Sequence, residues 1–174
     1  MATTLHASWV AWDGSTTEEF TLRWDNGGWV AEGIVSGSDV QYVLRLGPDF
    51  RTRQFLLFRD LDEPDLWLVA DGQGRWAEMN GAERHDLTGC FDLDLTCSPS
   101  TSTIPITALG LEIGESATVE MAVIDVATLA VDVATRTYTR LDDEQWRIDD
   151  VEVFVDGNGF VVDHPERFRR VLRG

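Results

Sequence analysis

Apolar and polar residues alternate with a period of two through much of this chain, and this pattern constrains its fold more than any other feature. In one segment, Phe20, Leu22 and Trp24 alternate with Thr21 and Arg23. Successive residues of a strand point to opposite faces, whereas the apolar face of a helix repeats about every 3.6 residues. The pattern therefore indicates β-strands that bury one face.

Strand candidates recur along the chain at short intervals. Beyond residues 20–24, they are predicted at 40–46, 53–59, 66–70, 75–78, 109–113, 118–125, 130–134, 136–141, 146–149, 151–156 and 160–163. Turn-forming Gly, Asn, Asp and Pro separate several of them, as in the Gly47-Pro48-Asp49 segment. Evenly spaced short strands predict an all-β fold built as a curled antiparallel sheet. The one helix candidate is a short C-terminal helix over Pro165 to Leu172, opened by the proline.

Size and charge limit the classes of function. The 174 residues are predicted to form a single domain over residues 1–174, and no apolar run approaches the roughly 20 residues of a membrane span. The first six residues lack the basic and apolar regions of a secretory signal, so we expect a cytoplasmic protein. The net charge is −17 and all 14 basic residues are arginine. Such a surface repels phosphate, which argues against nucleic-acid binding and disfavours anionic lipid headgroups.

The stretch from Leu87 to Leu111 carries most of the candidate site residues. Asp92 and Asp94 alternate with apolar residues, which places both carboxylates on one strand face about 7 Å apart. A segment with five hydroxyls and two prolines follows, including Thr101 and Thr103. Hydroxyls can hydrogen-bond a sugar or the backbone itself. This segment is expected to be a proline-rich crossover packed against Trp76 and Cys90.

The same stretch resembles the core signature of a known family. The matching residues are Gly89, Cys90, Asp92, Asp94, Pro99, Thr101, Thr103, Pro105 and Ile106. Two further matches lie at Gly74 and Trp76 and near the C-terminus, at residues 155–157, 159–161, Asp163, Pro165 and 168–170. The family is that of the putative glycolipid-binding proteins, formerly a domain of unknown function. The resemblance implies a spiral β-roll with an apolar interior that binds a lipid-like or glycolipid amphiphile without catalysis.

The candidate ligand-binding residues follow from this resemblance together with the chemistry of the stretch. They are Trp76, Cys90, Asp92, Asp94, Thr101 and Thr103. Aromatic and aliphatic side chains would bury the tail of the amphiphile, and the carboxylates and hydroxyls would meet its polar head. No metal-binding, phosphate-binding or nucleophile motif occurs, so neither a metal nor a cofactor is predicted. The chain departs from the family pattern at Ser102, Thr107, Ala108 and His164.

Other functions remain open from the residues alone. Asp92 and Asp94 could hold a divalent metal, as in glycosyltransferases, or act as the acid pair of a glycosidase. An uncharacterised enzyme could use either carboxylate in a cleft, with His164 or Cys90. The acidic surface could also serve as a protein-interaction module. Cys90 and Cys97 are too far apart for a C-x-x-C motif, and a bridge between them requires the chain to fold back.

Overall fold

The strands of the protein lie in one continuous sheet. The computed structural model describes residues 3–60 and 62–171, and fourteen strands of this part are neighbours in a single sheet. The first eight are β1 Thr4–Ala11, β2 Thr17–Asp25, β3 Gly28–Ser36, β4 Val40–Leu46, β5 Thr52–Phe58, β6 Leu66–Ala70, β7 Trp76–Glu78 and β8 Asp92–Leu95. Helix α1 follows at Ser100–Leu109. The last six are β9 Ser116–Ile124, β10 Val131–Arg140, β11 Gln145–Ile148, β12 Val151–Val155, β13 Val161–His164 and β14 Phe168–Arg170.

Strand order confirms the predicted curled all-β sheet. Strands β7 back to β1 form one run of antiparallel hairpins, β14 back to β9 form another, and β1 pairs with β14 to join them. Strand β8 then adds to β9 in parallel, which departs from the wholly antiparallel sheet expected from the sequence. A parallel partner needs a crossover connection. Here the chain between β8 and β9 contains α1.

The curled sheet encloses two apolar clusters. The larger includes Trp9, Phe20 and Phe55 from the N-terminal half, and the smaller includes Tyr138 and Trp146 from the C-terminal half. The apolar face of a sheet must be covered by another layer of structure. Because this sheet curls, its two halves and the helix together cover the apolar face. Helix α1 lies across both clusters, because Ile104 belongs to the first and Ile106 to the second.

Helix α1 was not predicted. Residues 100–109 form a helix within the proline-rich crossover, and the strand predicted at 109–113 is wrong, because Leu109 ends the helix and no strand follows until β9. Six of the ten helix residues are buried, including Ser100, Thr101 and Thr103. The helix therefore has no polar face that repeats with the helical period. Its hydroxyl residues and Pro105 are unfavourable inside a helix, so the sequence did not indicate one here. It ends at Gly110, whose left-handed φ of 56° suits a helix C-cap.

The predicted C-terminal helix is also wrong. Pro165 and the residues after it form a turn, and Phe168–Arg170 form β14. Strand β14 pairs with both β1 and β13, and Phe168 is buried. Without β14, β1 would present an unpaired edge at the centre of the sheet, so pairing prevails over the local helix signals. Leu172 lies outside the described residues.

Gly33 lets an aromatic ring lie flat against β3. It pairs with Tyr42 of β4, and a Cβ at Gly33 would overlap the Tyr42 ring. Tyr42 itself is fully buried and hydrogen-bonded through its hydroxyl, so the ring cannot move aside freely. The close approach of backbone and ring at this point therefore requires glycine.

We expect Gly33→Ala to destabilise the protein by about 1–3 kcal/mol, because the added methyl group forces a buried ring out of place. Gly157→Ala is the matched control, since nothing lies within 4 Å of a Cβ there. Chemical denaturation of the three proteins measures the difference. Equal unfolding free energies for the two variants would contradict this account of Gly33.

Candidate functional site

Trp76 and Cys90, two of the predicted ligand-binding residues, lie against each other in the core. The Trp76 indole Nε1 donates a 2.8 Å hydrogen bond to the Cys90 carbonyl oxygen, and both side chains are buried. Nearby, the Gly89 amide bonds the Gly74 carbonyl oxygen at 2.9 Å. These contacts hold the segment that enters β8 against the end of the β6–β7 hairpin.

Asp92 is a buried carboxylate with one cationic partner. Its side chain is fully buried, and Arg51 Nη1 lies 2.9 Å from Oδ2. Burial raises the pKa of Asp92 to about 6, against the opposing effect of the Arg51 charge. The second oxygen, Oδ1, is buried without a hydrogen-bond partner. The pair ties the loop before β5 to the start of β8.

The Asp94 and Thr101 side chains are hydrogen-bonded to each other, whereas the Thr103 hydroxyl takes no part in this bonding. The Thr101 hydroxyl donates to Asp94 Oδ1 at 3.1 Å and accepts the Leu95 amide at 3.1 Å. Arg136 Nη2 lies 3.7 Å from the other Asp94 oxygen. Thr103 Oγ1 is buried with no partner. Asp94 and Thr101 therefore fasten β8 to the start of α1.

Cys90 and His164, the two residues named beside the carboxylates for an enzyme, are both buried. Burial raises the pKa of the Cys90 thiol to about 11, which leaves it protonated and weakly nucleophilic. His164 is buried, and its Nδ1 lies 3.5 Å from the Pro165 carbonyl oxygen. Burial lowers the His164 pKa. Cys90 and Cys97 are both free thiols, and β8 runs between them.

A buried polar cluster that the sequence analysis missed centres on Glu18. This carboxylate accepts the Tyr42 hydroxyl at 2.6 Å and the Ser98 hydroxyl at 2.7 Å. Ser100 completes the cluster, with its hydroxyl 2.6 Å from that of Tyr42 and 2.7 Å from that of Ser98. The sequence does contain a signal for this cluster, namely the alternation of β2. Glu18 and Phe20 are two residues apart and so lie on the same strand face, and Phe20 belongs to the core.

An open groove of about 570 Å³ crosses the outer face of β1 to β5. Cross-strand pairing sets side chains in rows there, and one row runs Ser8, Glu19, Ile34, Gln41 and Phe58. Ile34 stands out because 53% of its surface is exposed. The volume lies within the range of small-molecule sites, about 300–1,000 Å³.

The groove lining mixes apolar and polar side chains. Apolar surface comes from Ile34, Val43 and Phe58, and polar groups come from His6 and Gln41 among others. Open pockets of 640 and 650 Å³ also flank β6 and β7, where charged loop residues contribute much of the lining. The outer groove differs from these because most of its lining comes from five neighbouring strands, β1 to β5.

Two further properties concern metals and membranes. Across residues 3–60 and 62–171, no three His, Cys, Asp or Glu side chains converge to hold a metal ion. In the same residues, no helix has both the length and the apolar character needed to cross a membrane.

Comparison with known proteins connects this architecture to a family. Residues 6–170 match the model of a family described as "Putative glycolipid-binding". The crystal structure of a DUF1089 family protein from Pseudomonas aeruginosa superimposes with a TM-score of 0.73 at 25% sequence identity. The alignment covers 98% of this chain and 92% of that one. No curated protein matches the chain.

We expect Trp76→Ala to lower the free energy of unfolding by about 3–5 kcal/mol, because it removes a buried indole and orphans the Cys90 carbonyl oxygen. Trp12→Ala is the control, since 49% of Trp12 is exposed, and it should cost far less. Urea denaturation compares the two. A loss below 1 kcal/mol for Trp76→Ala would mean that the indole does not support the entry to β8.

Arg51→Met should destabilise the protein by about 3 kcal/mol at pH 8, because it leaves Asp92 ionised and buried without its cation. The native pKa of Asp92 exceeds its ordinary 3.8, so the native state holds this proton more tightly than the unfolded chain does. The contribution of Asp92 to stability therefore falls as pH rises from about 4 to about 6. In Arg51→Met no Arg51 charge lowers the pKa of Asp92, so the loss of stability continues to higher pH.

Thermal unfolding at pH 4 and pH 8 tests the Arg51 prediction. At pH 4 Asp92 is largely protonated in the native state, so the variant should lie closer to the wild type than at pH 8. Arg23→Met removes a more exposed ion pair with Asp25 and serves as the control, with little change at either pH. If Arg51→Met were destabilised equally at both pH values, the contribution of Arg51 to stability would not depend on the charge of Asp92, which contradicts the prediction.

Proposed function

We propose, on the premise that the chain belongs to the putative glycolipid-binding family, that this protein binds a lipid-like or glycolipid amphiphile without catalysis. The family description supports a binding role. The mixed lining of the outer groove is the observation that carries the proposal, because apolar Ile34, Val43 and Phe58 adjoin polar His6 and Gln41. An amphiphile presents the same two kinds of surface to its site.

In this proposal the aliphatic part of the ligand covers Ile34, Val43 and Phe58. Each buried methylene contributes about 0.8 kcal/mol from transfer out of water, so a few methylenes in contact with the groove already add to the affinity. The polar head then lies over the neighbouring hydrogen-bonding groups, which include Gln41 and Thr21. A largely preformed floor of paired strands limits the ordering cost of binding.

The charge of the chain favours an uncharged head. The net charge of −17 creates a repulsive field for phosphate or sulfate groups. Arg170 lines the groove, but it is already within 3.2 Å of Asp156, which offsets its charge. A sugar head satisfies carboxylates and amides by hydrogen bonds and brings no negative charge.

The interior of the roll is a second candidate location. Asp92 Oδ1 and Thr103 Oγ1 are buried there without partners, and a polar ligand group would satisfy them. The apolar clusters are filled by side chains such as Trp9, Phe20 and Phe55, so an occupant has to displace part of the core. Helix α1 is the element whose movement would make that room.

The test uses two detergents with the same tail, dodecyl maltoside and dodecyl phosphate, below their micelle concentrations. We expect dodecyl maltoside to bind more tightly, and Ile34→Asp to weaken it about tenfold, because the change removes apolar contact and adds a charge. Val133→Asp is the matched control, since Val133 is an exposed aliphatic residue of β10 outside the groove. Calorimetry gives the affinities.

Each outcome has a meaning. Undiminished binding by Ile34→Asp would exclude the groove and leave the interior as the location. Equal losses in both aspartate variants would mean a general charge effect. Absence of binding by either detergent, together with a bare mass in native mass spectrometry of freshly purified protein, would overturn the proposed function.

A further inference from the structure

The Glu18 cluster joins three separate parts of the chain at one buried carboxylate. Glu18 comes from β2, Tyr42 from β4, and Ser98 and Ser100 from the segment that begins α1. Their side chains are all buried, with Glu18 only 3% exposed. The hydroxyls of Tyr42 and Ser98 both bond the carboxylate, and the Ser100 amide donates to Ser98 Oγ at 3.1 Å.

No cation neutralises this carboxylate within the described residues. Glu18 has apolar cross-strand partners, Trp9 on β1 and Val35 on β3, and the side chains that bond its carboxylate are the Tyr42 and Ser98 hydroxyls. The titratable groups that face it are the Tyr42 phenol and the Cys97 thiol, both neutral at ordinary pH. Burial accordingly raises the pKa of Glu18 to about 7, although the Tyr42 and Ser98 hydroxyls oppose the shift.

The hydroxyl network has a consistent arrangement in either protonation state. When Glu18 is ionised, Tyr42 and Ser98 donate to it and Ser100 donates to one of them. When Glu18 is protonated, its own O–H donates to a hydroxyl oxygen in the same cluster. The difference between the states is therefore the cost of a buried charge rather than a broken hydrogen bond.

The partners of Glu18 are not held equally firmly. Strands β2 and β4 lie within the sheet, each hydrogen-bonded to a neighbour on both sides. The segment before α1 has far fewer backbone contacts, among them the Ser98 amide to the Leu95 carbonyl oxygen at 3.1 Å. When water must reach the carboxylate, this segment is the part that can move with the smallest loss of hydrogen bonds.

We propose that the cluster of Glu18, Tyr42, Ser98 and Ser100 is a proton-dependent latch on helix α1, closed when Glu18 is protonated and loosened when it is ionised. Loosening draws Ile104 and Ile106 away from the two apolar clusters that they connect. The latch thus controls access to the interior of the roll. It stands on the geometry of the cluster and does not depend on the proposed ligand.

The first test is on the wild-type protein. Carboxyl NMR follows the titration of Glu18, and hydrogen exchange, corrected for the intrinsic rate, follows the amides of residues 98–109. We expect Glu18 to titrate near pH 7 and the protection of these amides to fall at least tenfold as pH rises from about 4.5 to about 7, then to level off. Linkage allows up to about 300-fold, from the difference between 4.5 and about 7 in pKa.

Two variants isolate the charge. Glu18→Gln keeps a buried amide but cannot ionise, so its α1 amides should lose the step between pH 4.5 and 7. Glu19→Gln is the matched control, because Glu19 is the next residue of the strand and is exposed on the opposite face. It should retain the step. Alkylation of half-buried Cys97, with fully buried Cys90 as the internal reference, reports the same opening by mass spectrometry.

The outcomes decide the proposal even when Glu18→Gln fails to fold. An ordinary carboxyl titration of Glu18 in the wild type overturns it. So does a titration near pH 7 without any change in the protection of residues 98–109. Loss of protection in α1 and β11–β12 together would mean global unfolding rather than a latch, which also overturns it.

Discussion

A single open sheet can bury its apolar face only by curling, and every other feature of this protein depends on how the curl is closed. The closure lies where β8 joins β9 in parallel, and where the carbonyl oxygen of Phe91, just before β8, accepts the Thr52 amide at the start of β5. Three interactions secure it: the Arg51–Asp92 ion pair, the Trp76 indole bond to Cys90, and the Thr101 bond to Asp94. The family signature noticed in the sequence therefore coincides with the seam of the roll.

The strands could be predicted because a sheet with one buried face must alternate. Helix α1 could not, because its partners surround it and erase any helical period, and Pro105 and the β-branched residues lower its helix propensity. The mistaken C-terminal helix has a different cause. The arginines around Phe168 suit a helix end, but the edge of β1 supplies a pairing partner that no local pattern reveals.

The site shows the same division between local and distant information. The sequence brought Trp76, Cys90, Asp92, Asp94, Thr101 and Thr103 together as one candidate set, and most of them do meet at the seam. Their contacts are with one another, with the backbone and with Arg51 and Arg136, so ligand contact by these residues remains a prediction. Glu18 could not be recognised as buried because the chain contains many glutamates. It differs from them in lying on the same face of β2 as the core residue Phe20.

Tyr42 connects the two features on which the functional proposals rest. Its ring packs against Gly33 on the buried face and its hydroxyl bonds Glu18, while its strand contributes to the floor of the outer groove. Interiors are packed densely enough that a ring held at both ends cannot shift at one end alone. A change at Glu18 therefore acts on a side chain of β4, one of the strands that floor the groove, as well as on the segment before α1.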